Sequence, residues 1–290
     1  MRNTQDRTIL RVTVGAVVVI ALVVVVCSIA GGGGKGAVST SEINKGVAFL
    51  EQQEQGDVSS VQGKIREIQK KKEELARAER RKQFQDGQID VWELFKNYAI
   101  LGDSRSEGFI DFGFLSKDRV LAAKGDNIDS IPGHMDTLKA LNPSQIFICY
   151  GMNDLTNNVG GSPEGWVAKY GEYIDQLKQN LPGTEIYVND IMAPQDAAYA
   201  VSGNLANYAQ YNQVLKEMCK SKGVHYIDTT ETTSANADLY APDGIHFNYD
   251  FYPYWAADMQ LAVMGGDETD DKNAGTENPE SGDGEAGQAE

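Results

Sequence analysis

The chain has 290 residues, of which 26 are basic and 42 acidic, and its net charge is −16. That length fits one domain of ordinary size with additional segments. Nucleic-acid binding depends on clustered Lys and Arg, so a chain this acidic is a poor candidate for it. The three cysteines are too few and too widely spaced for a disulfide framework or a zinc site, and we interpret them as core thiols: Cys27, Cys149 and Cys219.

The N-terminal part predicts a membrane anchor. Residues 12–30 carry no charge, and as a helix they would reach about 28 Å, close to the thickness of a bilayer core. A signal peptide is the alternative, but its apolar region is usually only about 7–15 residues long. Arg2, Arg7 and Arg11 precede the run, so the positive-inside rule places residues 1–11 in the cytoplasm. We therefore expect a single-pass protein of the cell membrane with its globular domain outside.

Two further segments flank the globular part. After a Gly-rich linker at 31–40, residues 41–88 are charged and rich in helix formers, which predicts a helical stalk. Its apolar residues recur at intervals of three and four, but Lys72 interrupts them. A solvated spacer helix is the favoured interpretation, and self-association through the stalk is the alternative. Residues 265–290 contain nine acidic residues and one lysine, which predicts an acidic disordered tail.

Residues 90–264 alternate between two patterns. Five short apolar runs each end in glycine or a small polar residue, and amphipathic helical patterns separate the later runs: NYAILGDS, RVLAAKGDN, SQIFICYGMND, TEIYVNDIMAP and GVHYIDTTE. This alternation predicts a three-layer α/β/α domain around a mostly parallel five-stranded sheet. In such sheets a ligand lies beyond the carboxyl ends of the strands, where these polar residues gather.

Ser104 is the first candidate for chemistry. It follows Gly102-Asp103 at a strand end and begins a predicted helix, so its N–H would point at an anion there. A serine hydroxyl needs an adjacent base to act as a nucleophile. Taken alone, the tripeptide is equally typical of a turn or a helix cap.

His246 is the candidate base among three histidines. Asp243 precedes it by three residues, and in a turn that spacing brings the carboxylate to Nδ1 of the ring. His225 borders a strand and is interpreted as structural, while His134 follows Pro-Gly and is interpreted as exposed or capping. As an isolated pair, Asp243 and His246 would also fit a surface turn.

Taken together, four blocks resemble the SGNH/GDSL hydrolases. The blocks are Gly102-Asp103-Ser104, Gly125, Gly151-x-Asn153-Asp154 and Asp243-x-x-His246, in the family's order across about residues 98–264. The resemblance implies a flavodoxin-like SGNH fold and a serine esterase or acyltransferase. It makes Ser104 the nucleophile, His246 the base and Asp243 its orienting acid. It also makes the Ser104 N–H, the Gly125 N–H and the Asn153 side chain the oxyanion donors.

Three other residues of these blocks are expected to support the site. Asp103 and Asp154 would hold loops by accepting hydrogen bonds from backbone N–H groups, and Gly151 belongs to the same block as Asn153. Two features depart from the family pattern: Arg105 stands where leucine is usual, and the block around Gly125 lacks a second small residue. We interpret Arg105 as a solvated side chain, with an anion contact as the alternative. Both departures weaken any inference toward lipids.

The sequence constrains the substrate less than the reaction. The loops 194–204 and 229–242 are polar, unlike the apolar lid of a lipase. Aromatics beside them would suit a sugar ring, although several of these must be core: Tyr240, Phe247, Tyr252, Tyr254 and Trp255. We therefore expect an extracytoplasmic esterase that removes O-acetyl groups from a cell-envelope or extracellular glycan. The alternatives are an O-acyltransferase, a lipase or lysophospholipase, and a catalytically silent surface module. No metal-ligand cluster or nucleotide-binding loop is apparent, so neither metal nor cofactor is expected.

Overall fold

A computed structural model describes residues 58–265, together with residues 41, 44 and 45. The predicted cytoplasmic segment 1–11, the transmembrane helix 12–30, the linker 31–40 and all but the first residue of the acidic tail lie outside the described residues. Cys27 lies outside them too. Within the described ranges, no helix has both the length and the apolar character to span a bilayer. The anchor therefore stays a prediction.

The domain is an α/β structure in which strands and helices alternate. The strands are β1 (Tyr98–Gly102), β2 (Val120–Ala122), β3 (Gln145–Cys149), β4 (Glu185–Asn189) and β5 (His225–Ile227). The helices are α1 (Val58–Gln85), α2 (Ser104–Asp111), α3 (Met135–Leu141), α4 (Met152–Thr156), α5 (Pro163–Asn180), α6 (Tyr208–Lys222), α7 (Thr230–Ala235) and α8 (Tyr252–Gly265). Each of the five predicted strand regions contains one of these strands.

The five strands form one sheet in the order β2-β1-β3-β4-β5. All four strand pairs are parallel, so the prediction of a mostly parallel sheet is confirmed and sharpened. This order is that of flavodoxin-like folds, in which the strand order reverses beside the first strand. The loops at that reversal, after β1, β2 and β3, therefore define the place where a site is expected.

Two hydrophobic layers cover the sheet because successive side chains of a strand point to opposite faces. Ala99 and Leu101 belong to a cluster that α3, α5 and α6 cover, whereas Tyr98 and Ile100 belong to a second cluster that α2 and α8 cover. The local sequence explains the helix boundaries. For example, the Ser162 hydroxyl accepts a hydrogen bond from the N–H of Gly165, and Pro163 occupies the first turn of α5.

The cysteine and stalk predictions are only partly covered by the described residues. Cys149 and Cys219 are free and buried, as expected for core thiols. The helix α1 lies within the predicted stalk 41–88, and its residues 63–80 are exposed along their whole length. The contacts between residues separate the chain into two compact units at Glu67. The sheet belongs to the unit that begins at Ile68.

Candidate active site

Ser104 stands at the junction of β1 and α2. β1 ends at Gly102, Asp103 has extended backbone angles (φ −99°, ψ −162°), and Ser104 is the first residue of α2. The Asp103 carboxylate caps the helix by accepting a hydrogen bond from the N–H of Arg105 at 2.9 Å. Only glycine fits at position 102, because a Cβ there would collide with the Ser106 side chain. This turn presents the Ser104 hydroxyl at the carboxyl edge of the sheet.

Ser104, His246 and Asp243 form a continuous chain of hydrogen bonds. Oγ of Ser104 lies 2.8 Å from Nε2 of His246, and Nδ1 of the same ring lies 2.6 Å from Oδ2 of Asp243. With the carboxylate at Nδ1, that nitrogen carries the proton and Nε2 accepts the proton of the serine hydroxyl. This arrangement can activate a serine for attack on a carbonyl carbon.

The carboxylate of Asp243 also shapes its own turn. Its Oδ1 accepts hydrogen bonds from the N–H groups of Ile245 and His246, at 2.9 and 3.0 Å. Burial acts to raise the pKa of Asp243, but the hydrogen bonds from His246 and from these backbone groups outweigh it, so the pKa is lowered. Asp243 therefore stays ionised while it orients the ring.

Residues 194–204, which the sequence predicted only as a polar loop, hold the turn that contains Asp243 and His246. The N–H of Gln195 donates to the carbonyl of Gly244 at 2.9 Å, and its side-chain amide donates to the carbonyl of Ala237 at 2.5 Å. Gly244 has φ +70°, and a Cβ there would lie only 3.0 Å from Cβ of Gln195. Gln195 is thus a supporting residue that its sequence neighbours did not reveal.

The three predicted oxyanion donors lie on adjacent loops. Gly102 of β1 pairs in register with Ala122 of β2 and with Cys149 of β3, so the loops that follow these strands leave the sheet at the same level. The side-chain amide of Asn153 donates to the carbonyl of Asp126, beside Gly125, at 2.8 Å. Gly125 is exposed and has φ +90°. The roles of the Ser104 N–H, Gly125 and Asn153 as oxyanion donors stay predictions.

Gly151 and Asp154 set the position of Asn153 in the short helix α4. Gly151 has φ +134°, and a Cβ there would collide with Ile191, so only glycine fits. Asp154 is fully buried and accepts hydrogen bonds from the N–H of Ile128 at 3.2 Å and from Nε1 of Trp166 at 2.9 Å. Burial raises the pKa of Asp154 to about 6. These contacts tie α4 to the loop after β2 and to α5.

Arg105 is not the solvated side chain that the sequence favoured. Its exposed fraction is 3%, and its guanidinium faces the carboxylate of Asp103, with both N–O distances at 3.4 Å. The expectation failed because Arg105 lies on the buried side of α2, together with Ser106, Gly108 and Phe109. There Tyr252 donates its hydroxyl hydrogen to the carbonyl of Arg105 at 2.8 Å.

Most of the aromatics considered for a sugar contact lie in the core, and more of them are buried than the expected several. Tyr240, Phe247, Tyr252 and Trp255 are at most 8% exposed and belong to the core beneath α2 and α8. Only Tyr254 of the five remains partly exposed. The sequence could not separate core from surface here because α8 is apolar around most of its circumference. An exposed tyrosine occurs instead at Tyr199, with 37% of its surface accessible, in the segment next to Gly244.

The other two histidines lie in different surroundings. Nε2 of His225 lies 3.0 Å from a carboxylate oxygen of Glu185, and its ring stacks on Tyr187, which fits the structural interpretation. Nε2 of His134 lies 3.9 Å from Oδ2 of Asp126, and the residue is partly buried rather than exposed. Burial lowers the pKa of His134 and outweighs the opposing effect of Asp126. Among residues 58–265, no group of acidic, His and Cys side chains is arranged to hold a metal ion.

A model of the GDSL-like lipase/acylhydrolase family matches residues 100–252, which include the whole Ser104–Asp243–His246 arrangement. The chain belongs to this family. The matched region is accordingly a serine ester hydrolase domain, as the four sequence blocks predicted. The matched range starts in β1 and ends at the first residue of α8.

Individual relatives of this family member are distant. A multidomain esterase of Ruminococcus flavefaciens is 26% identical over an alignment of 133 residues, with coverage of 43% of this chain and only 16% of that protein. Among solved structures, a GDSL-like lipase of Bacteroides thetaiotaomicron has a TM-score of 0.47 at 15% identity, over 58% of this chain and 87% of the other. An acetylxylan esterase of Geobacillus stearothermophilus has a TM-score of 0.45 at 12% identity, over 58% and 94%.

Proposed function

We propose that the chain is an extracytoplasmic serine esterase that removes short acyl groups, above all acetyl, from glycan hydroxyls. The observation that carries the proposal is the unbroken hydrogen-bond chain from the Ser104 hydroxyl through His246 to Asp243. Each bond has the length and the partner that a nucleophile, a general base and an orienting carboxylate need. Family membership supports ester hydrolysis as the reaction. The exposure of the triad and the expected location outside the membrane narrow the class of substrate.

In this mechanism His246 takes the proton of Ser104 as the hydroxyl oxygen attacks the ester carbonyl carbon. The resulting oxyanion is stabilised by the N–H groups of Ser104 and Gly125 and by the amide of Asn153. His246 then gives its proton to the leaving sugar oxygen, and the acyl group remains on Ser104. A water molecule, deprotonated by the same ring, releases the acid and restores the serine.

The open position of the triad favours a large substrate with a small acyl group. The side chains of His246 and Asp243 are 41% and 44% exposed, so a polymer can bring its ester to the serine without entering a deep channel. The neighbouring segment 194–204 is polar, and the N–H of its Gln195 is hydrogen-bonded to the carbonyl of Gly244. A lipase would be expected to cover its site with an apolar segment that opens, and this polar, tied segment does not suit that role.

The catalytic part of the proposal is tested by Ser104→Ala in the full-length chain, with 4-nitrophenyl acetate as substrate. We expect an initial burst in the wild type and a loss of kcat of at least about 1000-fold in the variant. Ser116→Ala is the control, because it removes a hydroxyl from an exposed position away from the triad and is expected to change kcat by no more than about threefold. Turnover that survives Ser104→Ala would exclude this mechanism.

The substrate part is tested with esters of increasing chain length. We expect kcat/KM for acetate to exceed that for octanoate by at least about tenfold, which corresponds to a discrimination of about 1.4 kcal/mol. A preference for octanoate would contradict the glycan assignment. When an acetylated oligosaccharide donor and an unacetylated acceptor are supplied together, we expect free acetate as the main product. Acetylated acceptor as the main product would instead identify an O-acyltransferase.

The location outside the membrane rests on the uncharged run at 12–30 and on the arginines before it. Protease treatment of intact cells tests it. We expect cleavage of the catalytic domain from cells whose membrane is intact, with a cytoplasmic protein protected in the same sample. Protection of the domain in intact cells, followed by cleavage after lysis, would overturn the outward orientation.

A further inference from the structure

Arg105 is a buried cation directly after the nucleophile. Its exposed fraction is 3%, and that of Asp103, its partner, is 1%. Nε of Arg105 lies 3.4 Å from Oδ1 of Asp103, and Nη2 lies 3.4 Å from Oδ2. Charge-assisted hydrogen bonds between such groups are usually about 2.7–2.9 Å long, so this pair is loosely bonded. The Asp103 carboxylate thus binds the side chain of Arg105 as well as its N–H.

Such an arrangement is costly for a residue that only fills space. A buried charge loses its hydration, and a loosely bonded partner repays only part of that loss. Within the described part of the chain, Nη1 of Arg105 is buried without a hydrogen-bond partner. A leucine at this position would fill the same region without these costs. The presence of this cation beside Ser104, despite its cost in stability, therefore indicates a role in the site.

The backbone of Arg105 is held at two points. Its N–H donates to Asp103 at 2.9 Å, and its carbonyl accepts the hydroxyl hydrogen of Tyr252 at 2.8 Å. The second contact depends on Gly108, because a Cβ there would collide with the Tyr252 hydroxyl. The first turn of α2, which presents Ser104, is consequently fixed to the cap residue on one side and to α8 on the other.

The charge of Arg105 also reaches the segment that carries His246. Burial raises the pKa of Tyr240 to about 12, and the positive charge of Arg105 acts in the opposite direction. Tyr240 forms an antiparallel bridge with Phe247, the residue after His246, and the N–H of Ala241 donates to the carbonyl of His246 at 2.8 Å. The guanidinium therefore belongs to the region where the serine turn and the histidine turn meet.

We propose that Arg105 is a positioning residue which, through its ion pair with Asp103, holds the Ser104 hydroxyl in line with Nε2 of His246. The inference rests on the proposed function, because it assigns a role in the same reaction. Replacement of the guanidinium leaves the Asp103 carboxylate buried without its counter-charge. The cap then rearranges and the serine turn shifts, and a shift of about 1 Å at a reacting group can cost about 100-fold in rate.

The test compares Arg105→Met with Arg105→Lys and with Arg119→Met in the full-length chain. Arg119 is a matched control, because its Nη1 donates to Oδ1 of Asn97 and to the carbonyl of Tyr98 at the other end of β1. We expect Arg105→Met to lower kcat on 4-nitrophenyl acetate by about 10–100-fold with KM within about threefold. Arg105→Lys keeps the charge and should recover part of kcat. Arg119→Met should leave kcat within about twofold of the wild type.

Two readouts separate positioning from a general loss of stability. The rate at which a fluorophosphonate labels Ser104 should fall in Arg105→Met in proportion to kcat, at a temperature where all variants are folded by circular dichroism. The ring ¹⁵N signals of His246 should shift in Arg105→Met and stay in place in Arg119→Met. Where Arg105→Met does not fold, Arg105→Lys decides, with an expected fall in kcat of about 3–10-fold.

The outcomes for the two proposals differ. A wild type that is labelled and active, with Arg105→Met equal to Arg119→Met in kcat and in labelling, overturns the role of Arg105 and leaves the esterase intact. If Arg105→Met lowers kcat/KM only by raising KM, with kcat unchanged, the proposed role of Arg105 is also overturned. A wild type that is neither labelled nor active overturns the esterase. In that case the His246 signals still decide whether Arg105 positions the two turns.

Discussion

Oγ of Ser104 lies 2.8 Å from Nε2 of His246, although 142 positions separate the two residues along the chain. The contact requires two turns that are prepared independently. Asp103 caps the helix that begins with Ser104, and Asp243 fixes the turn that ends with His246. The hydroxyl of Ser104 and the ring of His246 are therefore aligned before any substrate binds, which removes a reorganisation cost from the proposed reaction.

Asp243→Asn is expected to lower kcat on 4-nitrophenyl acetate by about 100–10,000-fold with little change in KM. An amide NH₂ opposite Nδ1 of His246 favours the wrong tautomer, in which Nε2 carries a proton and cannot accept one from Ser104. Steady-state kinetics at neutral pH provide the measurement. Asp250→Asn is the control, because Asp250 is an exposed carboxylate in the following segment. A decrease of less than about threefold in Asp243→Asn would exclude an orienting role.

Gly125→Ala is expected to lower kcat by about 10–100-fold, since the N–H that is predicted to bind the oxyanion would move. Gly125 has φ +90° and open space around its missing Cβ, so the substitution adds only backbone strain, of about 1–2 kcal/mol. Gly113 has φ +76° and is equally open, which makes Gly113→Ala a matched control.

Urea unfolding and kcat, measured on both glycine variants, separate strain from catalysis. Both variants should lose a similar free energy of unfolding, whereas kcat should fall only in Gly125→Ala. Equal kcat values for the two variants would remove Gly125 from the oxyanion site.

Tyr199→Ala is expected to raise KM for an acetylated oligosaccharide by about 5–10-fold and to leave KM for 4-nitrophenyl acetate unchanged, since a sugar ring would lose an aromatic contact. Tyr199 is 37% exposed and lies near the triad. The N–H of the preceding residue, Ala198, packs against Gly244, where an added Cβ would lie 3.1 Å from it, and Gly244 directly follows Asp243. Tyr249→Ala serves as the control, because Tyr249 is 52% exposed and packs against Phe114. An equal rise in both variants would argue against a sugar contact at Tyr199.

Asp154→Asn is expected to change how stability depends on pH. Burial raises the pKa of Asp154 to about 6, so the folded chain keeps a proton that the unfolded chain loses near pH 4. This carboxyl therefore makes the wild type less stable as pH rises through that window. Asn keeps an oxygen that can accept from Ile128 and Trp166.

Urea unfolding from about pH 4 to about pH 7 measures this effect. The free energy of unfolding of Asp154→Asn, relative to the wild type, should increase by up to about 3 kcal/mol across the range. The exposed Asp118→Asn is the control and should show no such trend. A constant difference between Asp154→Asn and the wild type would mean that folding does not raise the pKa of Asp154.

Local sequence was sufficient for most of the fold. Five apolar runs and the helical patterns after them predicted a parallel sheet, because alternation of short strands with longer amphipathic helices leaves few other arrangements. Local spacing was also sufficient for the contact between Asp243 and His246, since the two residues lie within one turn. The same holds for the cap of α2 by Asp103, which precedes the helix directly.

Only the tertiary structure decided the surroundings of these residues. The backbone of buried Arg105 is held by Tyr252, 147 positions away, which can approach only because residue 108 is glycine. The aromatics near His246 proved to be core for the same reason: whether a ring is covered depends on what distant segments pack against it. Local sequence therefore determined the five strands, the helices α3, α5 and α6 between them, and the turn that orients His246, but not α7, which lies in the predicted loop 229–242. The family resemblance implied that Ser104 meets that turn, but local spacing did not, because contacts between distant segments leave no mark on it. The physical cause of the meeting, and the buried cation beside it, lie in the packing of the whole sheet.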